Sequence, residues 1–316
     1  MIVVFMNFAF LGLILGILQG LFEWLPVSSE GQLVIFFVNV FGSNVDVATS
    51  LALFAHIGTA LVVIVYYRKE FIDMFKTSLT YIGLTPNNQE PKEYIRNLFL
   101  TRNLIIVTIF TVPTALPSLI IFEDVVNNLS DKLNISIPNL ITLFVGLLLL
   151  ITGIILYYRR KNTADEYATS RTFEELTIVE AIILGLLQGL AALPGISRSA
   201  ITITYLLLGV KLNQDESLRG SFIVAVPVSL GAGFLDVVRG KIVFQVNGLY
   251  APAINAIAID YLGMLILIAA AFIVGFLTLK TFLDVAKKVD FDKFVIAFGL
   301  IAIIAVGLGI TLSAIF

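Results

Sequence analysis

The sequence predicts an all-α integral membrane protein that is built as an inverted-topology repeat. Its 316 residues are 59% hydrophobic and only 13% charged, whereas soluble domains carry about 25% charged residues. Several apolar runs approach the roughly 20 residues that a membrane-spanning helix needs. The segment that begins at Gly16 also recurs at Gly185: both copies run Gly-(Ile or Leu)-Leu-Gln-Gly-Leu, then Leu-Pro, then serines. A repeat at this spacing is typical of two-fold membrane folds with discontinuous helices.

Each copy of the repeat opens one half of the chain with a re-entrant helix–loop–helix pair, and three spans follow. We expect a first repeat over residues 1–160 and a second over 174–316, which together form one membrane domain. The two re-entrant pairs are predicted at 5–25 with 31–41 and at 176–194 with 197–210. The six spans are predicted at 47–67, 103–122, 138–158, 220–238, 260–283 and 293–315. A polar loop is predicted over 68–101, and Pro113 and Pro117 predict a kink in the second span.

The distribution of charge predicts the orientation of these spans. A re-entrant pair returns to its starting side and three spans cross over, so the second half is expected to be inverted relative to the first. Sixteen of the twenty Lys and Arg residues then lie on one side, three lie on the other, and Arg198 is internal. The positive-inside rule makes the first side cytoplasmic. Both termini of this multi-pass protein of the plasma membrane are therefore expected outside the cytoplasm, where the first re-entrant pair also opens.

Arg198 lies in the second copy of the repeat, inside an apolar region long enough to reach membrane depth. A charge there costs about 2.5–3.5 kcal/mol on insertion scales. The preceding Pro194-Gly195 break and the flanking Ser197 and Ser199 predict a helix that starts at this point. Its free N–H groups and the arginine fork suit an anion such as phosphate. Thr202, four residues further on the same helix face, is a second candidate contact for that anion.

Gln19 and Glu23 are four residues apart in the first copy, so they share a helix face. A carboxylate at membrane depth needs a cation, a proton or a hydrogen-bond donor. Near a phosphate, the carboxylates of Glu23 and Glu30 suit Mg²⁺ or Ca²⁺. The alternatives are a structural ion pair between Glu23 and Arg198, which could open when substrate binds, and for Glu30 a solvated charge at the tip of a loop.

Three further polar side chains have two interpretations each. Ser28 and Ser29 follow the first Leu-Pro break, where serines cap helices, but either could also be a nucleophile or a donor to phosphate. His56 is the only histidine, and it lies in the middle of a span beside Gly58. A histidine in that position more often serves helix packing than catalysis, and both roles stay open.

The segments Glu23–Ser29 and Pro194–Ser199 resemble the two signature segments of the undecaprenyl-diphosphate phosphatase family of the bacitracin-resistance type. The resemblance extends in order to His56–Thr59, Phe222–Pro227 and Lys280–Leu283, so it covers nearly the whole chain. It implies hydrolysis of a C55-type polyprenyl diphosphate to the monophosphate, with a divalent cation, at a site open to the outer face. The residues that match the family motifs position by position are Gln19, Glu23, Ser28, Ser29, Ser197, Arg198, Ser199 and Thr202.

Two positions depart from the family pattern. The family has Thr-Gly-His after its two serines, where this chain has Glu30-Gly31-Gln32, and Phe298 stands where an arginine is expected. Gln32 cannot replace a histidine as a general base or as a phosphate-accepting nucleophile. This member therefore uses a serine or a metal-activated water, with Glu30 as a candidate base, or it hydrolyses poorly.

The leading functional hypothesis is a phosphatase that recycles a lipid carrier, as in cell wall biogenesis and bacitracin resistance. Glu23, with Glu30 as a second candidate, holds the cation; Gln19, Ser28, Ser197, Ser199 and Thr202 bind the substrate; and Ser29 or water attacks beside Arg198. The alternative is a transporter or flippase of polyprenyl phosphates or another small anion. The expected partners are the polyprenyl diphosphate and membrane lipids, with no nucleic acid, and a homodimer is a candidate assembly. A dolichyl-type carrier replaces undecaprenyl if the host is an archaeon.

Overall fold

A computed structural model describes residues 8–25, 28–41, 45–133, 171–193, 196–238, 242–245 and 257–286, with scattered residues between 135 and 158 and between 293 and 304. Its elements are mostly helices. In chain order they are α1 (Phe8–Phe22), α2 (Ser29–Phe41), α3 (Val45–Tyr66), α4 (Arg68–Tyr81), α5 (Pro91–Leu133), a 3₁₀ turn (Phe173–Glu175), α6 (Ile178–Leu190), α7 (Arg198–Leu208), α8 (Gln214–Val238), β1 (Ile242–Gln245), β2 (Ile257–Asp260) and α9 (Tyr261–Ala286).

Four of the described helices are long and apolar enough to cross a membrane, which makes the chain a helical membrane protein. These stretches are Ala48–Tyr66, Pro91–Ser118, Gln214–Phe234 and Tyr261–Asp284. Shorter apolar helices lie where the re-entrant pairs are predicted, at Ala9–Phe22, Ile178–Leu190 and Arg198–Leu208. The predicted spans 138–158 and 293–315 are described only in part. Their described residues include helical ones, and a Cβ on Gly299 would lie 2.9 Å from the Gly146 carbonyl oxygen, so the two segments touch.

One prediction about secondary structure is wrong. Residues 68–101 are not a polar loop, because α4 and the start of α5 occupy most of this range. α4 buries Met74 and Thr77 beneath a charged outer face, and Met74 shares a hydrophobic cluster with Leu100 of α5. The otherwise helical fold also contains one short strand pair, in which β1 and β2 run parallel from Ile242 with Ile257 to Gln245 with Asp260.

Glycines determine how the repeated helices pack. α1 lies along α9, and a Cβ on Gly16 would be 2.5 Å from the Leu267 carbonyl oxygen. α6 lies along α5 in the same way, and a Cβ on Gly189 would be 1.9 Å from Thr114 Oγ1. Small residues at four-residue spacing allow helices to approach closely within a membrane. Each copy of the repeat therefore packs on a long helix of the other predicted half.

Three buried apolar clusters follow from this arrangement. The first contains residues of α1, α2, α3 and α9. The second contains residues of every helix from α4 through α8. The third bridges them through Trp24, Phe222 and Phe282. The Trp24 indole N–H donates to the Gly275 carbonyl at 3.1 Å and to Thr278 Oγ1 at 3.1 Å. The segment after α1 is thereby fixed against α9, close to the polar residues described below.

A charged cluster connects α5, the 3₁₀ turn and α8 on the predicted cytoplasmic side. Glu174 accepts hydrogen bonds from Arg219 at 2.8 Å and from Arg96 at 2.9 Å, and Arg219 also donates to Glu216 at 2.9 Å. Burial alone would raise the pKa of Glu174, but the hydrogen bonds and charge of Arg219, together with the bond from Arg96, outweigh it and lower that pKa to about 2. The carboxylate therefore stays ionised at neutral pH.

Gly16→Ala should destabilise the protein by about 1–3 kcal/mol, because the new methyl group overpacks the contact with α9. Gly231→Ala is the matched control, since a Cβ there meets no atom within 4 Å, and it should leave the melting temperature equal or slightly higher. Melting in detergent can be followed by the fluorescence of Trp24, the single tryptophan. A Gly16→Ala protein that melts at the wild-type temperature would contradict this account of the packing.

Candidate functional site

Glu23 is the residue on which the site converges. It lies one residue beyond α1 and is 7% exposed. Its Oε2 accepts hydrogen bonds from Gln19 Nε2 and from Ser29 Oγ, both at 2.7 Å, and it lies 3.2 Å from His56 Nε2. Its Oε1 accepts from Arg198 Nη2. One carboxylate thus contacts residues of α1, α2, α3 and α7.

Arg198 is the first residue of α7, and its guanidinium is held on two sides. Nη2 pairs with Glu23, whereas Nη1 donates to Ser229 Oγ at 2.5 Å and to the Ala225 carbonyl at 3.1 Å, both on α8. The side chain is 20% exposed. The ion pair that the sequence offered as an alternative is therefore present, and it joins the helix breaks of the two repeat copies.

A serine caps the helix that follows each break. Ser28 Oγ accepts from the Gly31 backbone N–H at 3.3 Å, and Ser197 Oγ accepts from the Ala200 N–H at 3.3 Å. The capping interpretation is confirmed for these two residues. Ser28 also adopts a φ of 56°, a conformation that non-glycine residues seldom take outside tight or functional turns. Ser199 lies next to the second cap, 3.1 Å from Ser197 Oγ.

Ser29 and His56 share the environment of Glu23. Ser29 Oγ is 3.4 Å from His56 Nε2, and His56 Nδ1 is 2.7 Å from the Ala52 carbonyl oxygen. A carbonyl only accepts hydrogen bonds, so Nδ1 must carry a hydrogen, and Nε2 is the nitrogen that faces the carboxylate and the hydroxyl. Two residues further along α3, Gly58 packs closely against α9, and a Cβ there would lie 2.6 Å from the Ile268 carbonyl oxygen.

Other predicted site residues lie near this group in different roles. Thr202 is fully buried, donates to the Arg198 carbonyl at 2.8 Å and lies 2.6 Å from Ser221 Oγ, so its hydroxyl braces α7 against α8. Glu30 lies in the first turn of α2 and is 9% exposed. The interpretation of Glu30 as a solvated loop-tip charge is therefore wrong. Gln32 is half-buried in α2, and its backbone N–H donates to the Ser28 carbonyl.

Two site residues were missed by the sequence analysis. Thr59 Oγ1 accepts from Gln19 Nε2 at 3.4 Å, and Ser229 accepts from Arg198. Thr59 lies within the segment His56–Thr59 and Ser229 lies two residues beyond Phe222–Pro227. Both segments carried the family resemblance, but neither Thr59 nor Ser229 was given a chemical role. Their position in or next to those segments was the available signal.

A small pocket opens beside the ion pair. Glu23, Arg198, Thr59 and Ser229 line one part of it, and an apolar part follows. Its apolar lining comprises Trp24, Ala60, Val63, Phe222, Ala225 and Val226. A polar end next to an aromatic wall suits the phosphate end of an amphipathic lipid.

The carboxylates of the site can hold a divalent cation only if the substrate supplies further ligands. Among the described residues, no three His, Cys, Asp or Glu side chains come together as a metal site. Glu23 and Glu30 offer two carboxylates, and Mg²⁺ is commonly bound by one or two carboxylates together with substrate phosphates and water. The residues present are therefore compatible with a cation that arrives with a diphosphate.

The fold and the site define a helical integral membrane protein whose two helix breaks enclose a buried carboxylate–arginine pair with a hydroxyl and an imidazole beside it. Residues 12–304 match the family described as bacitracin resistance protein BacA. The chain belongs to this family.

Curated relatives align over nearly the whole chain. A protein of Methanothrix thermoacetophila is 34% identical over 292 residues, which is 92% of this chain and 94% of the relative. A protein of Saccharolobus solfataricus is 34% identical over 301 residues, 95% of this chain and 96% of the relative. A third, from Haloarcula marismortui, is 32% identical over 294 residues, 93% and 96% of the two chains. All three are named undecaprenyl-diphosphatase.

The tautomer of His56 can be measured directly, because it is the only histidine in the chain. Protein labelled with nitrogen-15 histidine gives one pair of ring signals, and His56→Gln, which removes both, provides the assignment. We expect the neutral ring to carry its hydrogen on Nδ1, held by the Ala52 carbonyl. A neutral ring with its hydrogen on Nε2 would refute the orientation described above.

Proposed function

We propose that the protein hydrolyses an undecaprenyl-type polyprenyl diphosphate to the monophosphate and phosphate, and so recycles a lipid carrier. The observation that carries the proposal is the buried Glu23–Arg198 pair, in which one carboxylate contacts both the guanidinium and the side chains of Ser29 and His56. The names of the full-length relatives support the same activity.

Arg198 binds the diphosphate in this proposal. Within the described part of the chain, Glu23, Ser229 and Ala225 engage three of its five N–H donors, and the other two are the proposed donors to a phosphate oxygen. The backbone N–H groups at the start of α7 add an electrostatic preference for an anion. As charge develops on the transferred phosphoryl oxygens, these fixed donors stabilise the transition state more than the ground state. Gln19, Ser28, Ser197, Ser199 and Thr202 keep their proposed supporting roles around the headgroup.

The attacking oxygen belongs to Ser29 or to a water molecule, and His56 Nε2 accepts its proton. A bond forms between that oxygen and the terminal phosphorus, and the bond from phosphorus to the bridging oxygen breaks. The electron pair leaves with the polyprenyl monophosphate, which needs no proton to depart. If Ser29 attacks, water then cleaves the phosphoserine and His56 returns the proton to Oγ. His56 thus supplies a base in a chain that has Gln32 at the family's histidine position.

A divalent cation, Mg²⁺ or Ca²⁺, completes the proposed site. Glu23 and Glu30 are the residues that would hold it, together with oxygens of the diphosphate. When bound, the cation neutralises phosphate charge. Chelation should therefore lower activity and restoration of the metal should recover it.

The finer architecture is also part of the proposal: six spans and two re-entrant pairs arranged as an inverted repeat, with both termini outside the cytoplasm. The reciprocal packing of α1 on α9 and of α6 on α5 supports a two-fold relation. The charge distribution supports the orientation. The polyprenyl tail lies in the bilayer among membrane lipids, and the protein acts as a monomer or a homodimer.

Arg198→Ala should lower phosphate release from farnesyl or undecaprenyl diphosphate by at least about a hundredfold, because it removes the main donor to the developing charge. The assay uses purified protein in detergent with Mg²⁺ or Ca²⁺. Ser217→Ala is the control and should retain activity. Ser217 is a buried serine on α8, and in the described part of the chain its hydroxyl donates to the Asn213 carbonyl just before that helix. Full turnover by Arg198→Ala would defeat the assignment.

The same preparation separates hydrolysis from transport and identifies the attacking group. Movement of lipid across liposomes without phosphate release would establish the flippase alternative instead. His56→Gln should lower turnover by roughly 10²–10⁴-fold. If Ser29 attacks, Ser29→Ala should abolish turnover and also the phosphoserine that can be trapped on the wild-type protein. If water attacks, Ser29→Ala should retain part of the activity.

The absence of cysteine allows single thiols to report topology. Asn88 and Asp131 are exposed near opposite ends of α5. A membrane-impermeant thiol reagent added to intact cells should label Asp131→Cys, and it should label Asn88→Cys only after permeabilisation. The reverse labelling pattern would overturn the proposed orientation.

A further inference from the structure

Ser229 lies on α8 where that helix meets the arginine of the second repeat copy. It is 5% exposed, and its Oγ accepts from Arg198 Nη1 at 2.5 Å. The sequence offered no role for it. It lies two residues after Pro227 inside α8, and this proline accounts for the access that the Arg198 side chain of α7 has to α8.

Pro227 weakens the hydrogen-bond ladder of α8 at this point. Proline has no backbone N–H, and its ring crowds the carbonyl one turn earlier. Two carbonyls of that turn accept side-chain donors from the second repeat copy: Val224 from Gln188 Nε2 at 3.5 Å and Ala225 from Arg198 Nη1 at 3.1 Å. The proline-containing turn therefore presents an acceptor surface to α6 and α7, and Ser229 extends this surface toward the pocket.

The hydroxyl of Ser229 retains a hydrogen to donate. In the described part of the chain it accepts from Arg198, and the same side chain lines the pocket with Glu23 and Thr59. A serine can accept one bond and donate another at the same time. Accepting from a cation makes its own O–H a stronger donor. A phosphate oxygen that enters beside Arg198 is the natural acceptor.

We propose that Ser229 positions the Arg198 guanidinium and donates its own hydroxyl to the phosphate that this arginine binds. The inference rests on the proposed diphosphate hydrolysis and adds a residue to its phosphate subsite. Glu23 holds the guanidinium from one side only, and Ser229 with the Ala225 carbonyl holds Nη1 from the other. Anchoring on both sides fixes the plane of the guanidinium and therefore the directions of its remaining N–H groups.

Binding of an inert analogue tests the proposal without turnover. A farnesyl methylene-bisphosphonate, in which carbon replaces the bridging oxygen, should bind Ser229→Ala roughly tenfold or more weakly than wild type, since one charge-assisted hydrogen bond is lost. Ser229→Thr keeps the hydroxyl and should recover most of the affinity. Ser217→Ala on the same helix should bind as wild type does. In the phosphate-release assay, Ser229→Ala should lower kcat as well as raise KM.

A double-mutant cycle shows whether Ser229 acts through Arg198. If it does, Ser229→Ala should weaken analogue binding much less in an Arg198→Lys background than in wild type. Independent, additive losses would overturn the positioning role, and so would wild-type affinity in Ser229→Ala. Equal losses in Ser229→Ala and Ser217→Ala would indicate a general packing effect and would also overturn it. A wild-type protein that binds the analogue but releases no phosphate would refute the proposed hydrolysis and leave this inference standing.

Discussion

Either Glu23 or Arg198 alone would be an uncompensated charge at membrane depth, and their pairing offsets part of the cost of burying both. Glu23 follows α1 and Arg198 begins α7, so the pair brings the two helix breaks together. Donors from Gln19 and Ser29 occupy the carboxylate, and acceptors on α8 occupy the guanidinium. Every other polar contact of the site is arranged around these two charges. Because a phosphate is itself an anion, it can compete with Glu23 for the same arginine, so the contact that stabilises the resting site is also the one that substrate can exchange.

The parts that the sequence predicts are those that local chemistry determines. A Leu-Pro break followed by serines stops one helix and caps the next, and Ser28 and Ser197 cap helices as expected. A single arginine inside an apolar stretch has few physical explanations, so Arg198 could be identified before any geometry was known. The glycines in the repeat have a close-packing role that depends only on side-chain size, and Gly16 and Gly189 fill it.

The remaining parts depend on contacts between distant segments. His56 is on α3, and only the packing of α3 beside α1 and α2 brings it to Glu23 and Ser29. Ser229 required the path of the Arg198 side chain, which no spacing rule specifies. α4 was missed for another reason. Its charges suggested a solvated loop, because only Met74 and Thr77 of this helix are buried. Helical spacing placed Thr202 beside Arg198, but only the packing of α7 against α8 shows that its hydroxyl also contacts Ser221.

The contact of α1 with α9 also bears on the order in which the protein is made. The Trp24 indole and the Gly275 carbonyl are 251 residues apart in the sequence. The ribosome therefore synthesises α1 and α2 long before α9, the helix on which α1 packs. Until the later segments are inserted, neither the glycine face of α1 nor the Glu23 charge has its final neighbour. α1 and α2 must therefore remain in a non-native environment during synthesis. The mature membrane fold can form only after almost the entire polypeptide has been translated.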